Sequence, residues 1–295
     1  MRWTPGGSSS NVEDRRGGGG GGGFRMGGGG MGIGGTVIVL ILSLIFGRNL
    51  FNTGSVDTGP ATTADGTSGA ASGDVAPAVS ETATEKERRE FMTFVLNDAN
   101  GMWTQTLPKY GNQYRDARLV LFRDAVQSGC GNAESAMGPF YCPRDQRVYL
   151  DLGFYDELQR RFGAPGDFAE AYVLAHEIGH HVQNMVGTSA QVQQRMESRP
   201  SEANALSVRL ELQADCFAGV WGNTARSRNL LDPGDVEEGL AAASAVGDDR
   251  LQKQATGQVH PESFTHGTSA QRMTWFRRGF DSGDMRNCDT FAGAI

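Results

Sequence analysis

His176-Glu177-Ile178-Gly179-His180 decides how this chain is read, because two histidines four positions apart around a glutamate form a spacing that metal chemistry requires and helix packing does not. On a helix of about 3.6 residues per turn the two imidazoles share one face, one turn apart. Both can then hold one Zn²⁺, with Glu177 beside it as the base for a metal-activated water. The bland alternative makes His176 and His180 polar members of an ordinary amphipathic helix. The flanks mark that helix out: Asp167 and Glu170 form a capping signature and Gly187 a stop, so it should run from about Phe168 to Met185.

A catalytic zinc usually takes three protein ligands and leaves a fourth position for water. Glu211 is the expected third ligand. It lies in a helical run from Asn204 to Asp215 without interior Gly or Pro, opened by Pro200-Ser201. Asp215, one turn further on, can accept the second ring N–H of a ligand histidine and fix its tautomer. Read alone, such a carboxylate pair is usually a solvated face, but here it is flanked by Leu210, Leu212, Ala214, Phe217 and Ala218.

A developing oxyanion needs a donor, and His266, in the loop before a helical run from Ser269 to Phe280, is the candidate. A role as third ligand in place of Glu211, or as a plain surface residue, stays open, and Tyr141 and Tyr149 are alternative donors. His181 and His260 read as structural or solvated. Arg272 could hold a ligand carboxylate or the loops of the site.

His176 to His180, the stretch Leu210-Glu211-Leu212-Gln213-Ala214-Asp215-Cys216-Phe217-Ala218-Gly219, the stretch His266-Gly267-Thr268-Ser269-Ala270-Gln271-Arg272 and Gly138-Pro139-Phe140-Tyr141-Cys142-Pro143 together resemble the bacterial neutral zinc metallopeptidase family, a relative of the Glu-zincins, over roughly residues 85 to 290. The resemblance implies His176, His180 and Glu211 as zinc ligands, Glu177 as general base and a single catalytic Zn²⁺. The expected activity is that of a metalloendopeptidase acting on a peptide or protein substrate. The competing reading is a zinc-holding interaction or inhibitory module of the cell envelope without turnover. An intact Glu177 favours the enzyme, since a binding module needs no base beside its metal.

Around this domain the chain is uneven. Residues 1–32 are Gly-rich and are expected to be a disordered cytoplasmic tail, with Arg2, Arg15, Arg16 and Arg25 against only Glu13 and Asp14. Residues 33–51, centred on the uncharged run Ile33 to Phe46, read as one transmembrane helix near the lower length limit for spanning a bilayer. The Arg excess before it places the N-terminus in the cytoplasm and the catalytic domain in the periplasm or outside the cell. Residues 52–84 read as a flexible linker and 85–295 as the zincin-like metallopeptidase domain.

Within that domain, Thr84-Glu85-Lys86-Glu87 reads as a capping box, Leu119 to Phe122 and Val148 to Leu150 as short strands, and 201–229, 233–253 and 269–280 as further helices. The fold class is therefore α+β, mostly helical with a small sheet. Val148 to Leu150, just before the active helix, is similar to the substrate-pairing edge strand of zincins; an ordinary core strand is the alternative. Four cysteines allow three pairings, of which 130–142 with 216–288 is favoured, consistent with an oxidising compartment. A net charge of −7 with no basic cluster beyond the N-terminal tail argues against a nucleic-acid partner.

Overall fold

The structure, a computed structural model, describes residues 1–5, 7–17, 81–160 and 163–295. The transmembrane expectation for 33–51 and most of the linker lie outside the described residues. Among the described residues no helix is long and apolar enough to cross a membrane.

Leu119 to Phe122 is apolar without interruption because both its faces are covered, as in interior parallel strands. This strand, β2 (Arg118–Phe122), lies between β1 (Val12–Asp14) and β6 (Arg147–Asp151), parallel to both, and β5 (Phe140–Cys142) pairs antiparallel on the outer side of β6. Leu119 and Leu121 join the main core; Val120 and Phe122 turn to a smaller one with Val126, Ala133 and Tyr149. A hairpin of β3 (Ala125–Ser128) and β4 (Gly131–Glu134) covers that second face, and the Cys130–Cys142 disulfide ties it to β5. The strand Val148 to Leu150 is thus interior to the sheet, and the outermost strand near the active helix is β5.

The helices follow in order: α1 (Ala83–Thr106), α2 (Phe154–Arg160), α3 (Asp167–Met185), α4 (Thr188–Ser198), α5 (Ala203–Ser227), α6 (Asp235–Ala245), α7 (Asp248–Thr256) and α8 (Ser269–Ser282). α1 buries Phe91, Met92, Val95, Leu96 and Trp103 against the sheet and α3, each large side chain contributing about 1.5–3 kcal/mol when fully enclosed. Its capping box is Thr82 with Glu85, two residues before the expected start: Glu85 N–H donates to Thr82 Oγ1 at 3.2 Å, and Thr82 N–H to Glu85 Oε2 at 2.9 Å. The run 233–253 is two helices rather than one. Gly247 between them is extended, with φ −73° and ψ 140°, and a Cβ there would stand 2.4 Å from the backbone nitrogen of Ser269.

Three further expectations are corrected. Asp167 does not cap α3, whose N-cap is Gly166 without a side-chain bond; Asp167 instead accepts from the Met1 ammonium at 2.7 Å, and Glu170 pairs with Arg88 at 3.2 Å. Residues 1–5 and 7–17 are not a disordered tail. Trp3 lies against Phe91 with ring centroids 5.2 Å apart, Val12–Asp14 form the outer strand, and Arg16 is buried in an ion pair with Asp14 and Glu81. Gly dominates the composition of the region, but the described contacts are made by its other residues, with partners far along the chain. Residues 81–84, expected as linker, belong to this same packed unit.

Candidate active site

The site is built where three helices cross closely. Gly179, between the two histidines of the pentad, faces α5 so tightly that a Cβ would meet Ala214 O at 2.9 Å. α5 and α8 touch backbone to backbone at Gly219 and Gly279, where a Cβ on Gly279 would fall 1.9 Å from Cys216 O. These contacts set Glu211 on α5 opposite His176 and His180 on α3. The Cys216–Cys288 disulfide, with Cα atoms 5.5 Å apart, fastens α5 to the C-terminal segment beside them.

Nε2 of His176 is 3.1 Å from Glu211 Oε2, and Nε2 of His180 is 3.4 Å from Glu211 Oε1. One donor atom from each of the three residues lies within 4.8 Å of the others, a cluster of two imidazoles and a carboxylate that suits Zn²⁺. The far ring nitrogens are also fixed. His176 Nδ1–H donates to Asp215 Oδ1 at 2.8 Å, and His180 Nδ1–H to Gln183 Oε1 at 3.0 Å, which leaves both Nε2 atoms turned to the shared point.

Asp215 is fully enclosed, and its charge is met on every side. Tyr172 O–H donates to Oδ1 at 2.5 Å, and Arg272 forks onto both oxygens, Nε to Oδ2 and Nη2 to Oδ1, each at 2.9 Å. Arg272 thus holds Asp215 and, through Nη1, the carbonyl of Val246 at 3.3 Å. Burial would push the Asp215 carboxyl up, but Arg272 and His176 outweigh it and hold it below the usual range. Burial likewise opposes a charge on His176, yet Asp215 and Glu211 raise its pKa to about 9, so a metal held at Nε2 would have to displace a proton. Glu211 is held well below the usual carboxylate range: burial works against it, and His180 and His266 more than compensate.

Glu177 is buried beside the cluster, and burial raises its pKa against the pull of His176 and His180. That is the direction a general base working near neutral pH needs. His266 comes from the loop between α7 and α8. Its Nδ1 lies 3.2 Å from Asp248 Oδ1, while Asp248 Oδ2 accepts the backbone N–H groups of Thr265, His266 and Gly267 at 2.7, 2.7 and 3.1 Å. Loop and imidazole are thereby held as one piece, close enough to Glu211 for the two to shift each other's pKa.

The other sequence candidates are engaged elsewhere. Tyr149 O–H donates to Asp145 at 2.6 Å within the smaller core. Tyr141 O–H donates to His181 Nδ1 at 3.0 Å and accepts from Asn184 at 2.9 Å, while His181 Nε2–H donates to the carbonyl of Arg115 at 2.7 Å. His181 is therefore a neutral structural histidine, its pKa lowered by burial. His260 is exposed, 3.5 Å from Glu262. Sequence reading missed Tyr172, Gln183 and Asp248. Tyr172 sits one turn before His176 and Gln183 three positions after His180, so helical spacing could have found both; nothing near His266 in sequence points to Asp248.

Asp167, Asp235 and Glu238 form a second cluster of ligand-type groups among the described residues, but the Met1 ammonium stands among them, 2.7 Å from Asp167 and 3.3 Å from Asp235.

No solved structure matches this chain. It is 51% identical over 212 residues to the uncharacterized protein YpfJ of Escherichia coli K12, covering 72% of this chain and 74% of that one. It is 44% identical over 209 residues to the uncharacterized protein Rv2575 of Mycobacterium tuberculosis H37Rv, covering 67% and 69%. The family model described as "Putative neutral zinc metallopeptidase" matches residues 1–291, and the chain, with its two-histidine, one-carboxylate cluster, belongs to that family.

Proposed function

We propose that the protein is a zinc metalloendopeptidase in which His176, His180 and Glu211 hold one Zn²⁺ and Glu177 is the general base. The convergence of those three donors within 4.8 Å, with the buried Glu177 alongside, is the observation that carries the reading. Zinc bound there would acidify a water and polarise the scissile carbonyl. Glu177 takes the proton of the attacking water and later delivers it to the leaving amine, a shuttle its raised pKa favours. Asp215, Tyr172 and Arg272 keep the His176 ring at one orientation through both steps. His266, steadied by Asp248, donates from Nε2 to the oxygen that gains charge. Two disulfides support a non-reducing location, and the apolar run Ile33 to Phe46 supports attachment to the cytoplasmic membrane with the catalytic domain outside the cytoplasm.

The test is zinc content and peptide-library cleavage of the full chain beside Glu177→Gln and Glu211→Ala. Glu177→Gln should keep its zinc and lose about 10²–10⁴ in kcat. Glu211→Ala should lose both zinc and cleavage. Equal cleavage by wild type and Glu177→Gln would sink the peptidase reading.

A further inference from the structure

A strand can hydrogen-bond to a sheet only from the side of the membrane on which that sheet lies. β1 does so: Leu119 N–H donates to Asn11 O and Arg15 N–H to Leu121 O, both at 2.8 Å, and the strands align Val12 with Leu119, Glu13 with Val120 and Asp14 with Leu121. The contacts continue on both sides of the strand. Trp3 rests on Phe91, and Arg16, only 7% exposed, reaches Asp14 at 2.6 Å and Glu81 at 2.5 Å, while Glu81 also accepts from Arg89 at 3.0 Å. Arg16 and Glu81, which bracket the intervening stretch of sequence, therefore meet in one ion-pair cluster. The apolar run falls between those two points.

We propose that residues 1–17 and the peptidase domain lie on the same side of the membrane, so that the apolar run does not divide a cytoplasmic tail from an external domain. Departure and return at one place require an even number of crossings between Gly17 and Glu81. Only one apolar run is available in that stretch. Residues 52–80 carry Asp57, Asp65 and Asp74 and no aromatic side chain, so a second crossing would strand polar groups in hydrocarbon.

The arginines that suggest a cytoplasmic N-terminus have carboxylate partners in the folded domain. Arg2 pairs with Asp232, Arg15 with Glu13, and Arg16 with Asp14 and Glu81, so three of the four arginines before the apolar run are neutralised within the domain. The same conclusion holds if the strand is supplied by a second copy, because that copy's strand must reach the same side.

Substituted-cysteine labelling of the full chain in intact cells tests this. All four native cysteines are in disulfides, so Ser8→Cys and Gln258→Cys, both at exposed positions, each introduce a single free thiol. A membrane-impermeant maleimide should label both before lysis and to the same extent. Labelling of both only after lysis would keep the two on one side but move them to the cytoplasm, against the envelope location rather than against this inference. Labelling of position 258 before lysis and position 8 only afterwards, or the reverse, would overturn it.

Discussion

Asp215 and Asp248 each steady a histidine of the site, but they are made ionic by different means. Asp215 is held by side chains, Arg272, Tyr172 and His176 itself, drawn from α3 and α8 into a sealed interior. Asp248 is held mainly by three successive backbone N–H groups of the loop that carries His266. A countercharge brought by another helix makes the first arrangement depend on the tertiary fold. Backbone donors make the second a local unit that a side-chain change cannot dismantle piece by piece. The rigid arrangement sits behind a proposed metal ligand, where the ring must not turn; the local one sits behind the proposed oxyanion donor, at the wall of the site.

The largest effect should come from the side-chain cage. Arg272→Met removes the countercharge and leaves Asp215 buried beside hydroxyl and imidazole donors only, a break of the kind that costs about 3–5 kcal/mol. Chemical denaturation of wild type and variant measures it. A loss below about 1 kcal/mol would mean that the cage is not the tertiary keystone the contrast requires.

Next is His266→Ala, which should lower kcat by about 10²–10³ while leaving zinc content unchanged. The paired measurement matters, because loss of zinc would make His266 a ligand and erase the distinction between the two regions. Asp215→Asn follows, made together with Arg272→Met so that no lone charge stays buried. It should weaken zinc binding about 10–100-fold in a chelator competition, as losing the carboxylate behind a ligand histidine does. An unchanged zinc affinity would reduce Asp215 to a packing role.

The same contrast explains what could be read from sequence. His176, His180, Glu211 and Asp215 were legible because each pair is one turn apart on one helix, and helical spacing turns sequence distance into a shared face. The crossing of α3 and α5 was not legible, although Gly179 permits it, since nothing in the pentad says which helix will lie against it. Asp248 was hidden for a related reason: a carboxylate that collects backbone N–H groups leaves no residue-type signature at the donors. Asp167 and Glu170 had the right residue types for a cap, but the Met1 ammonium and Arg88 claim them in the folded protein. β1 was obscured by its setting. Val12 is the lone aliphatic residue of its strand, and register with β2, not local propensity, makes that strand.

The smallest expected effect tests the local unit. The Asp248 carboxyl is held below the usual aspartate range: burial resists ionisation, but His266 and the loop N–H groups prevail. Its stabilisation is therefore fully present above the ordinary aspartate pKa of about 3.9 and is lost as pH falls through the lower folded value. Asp248→Asn should cost about 1 kcal/mol at neutral pH, because the amide oxygen still accepts from part of the loop. Asparagine has no proton to take up, so the acid limb of its stability profile should also be shallower than that of wild type. An acid limb of unchanged slope would mean that Asp248 is not ionised in the folded chain. His266 would then be steadied by a neutral acid, and the two histidines of the site would differ in the charge behind them as well as in what surrounds it.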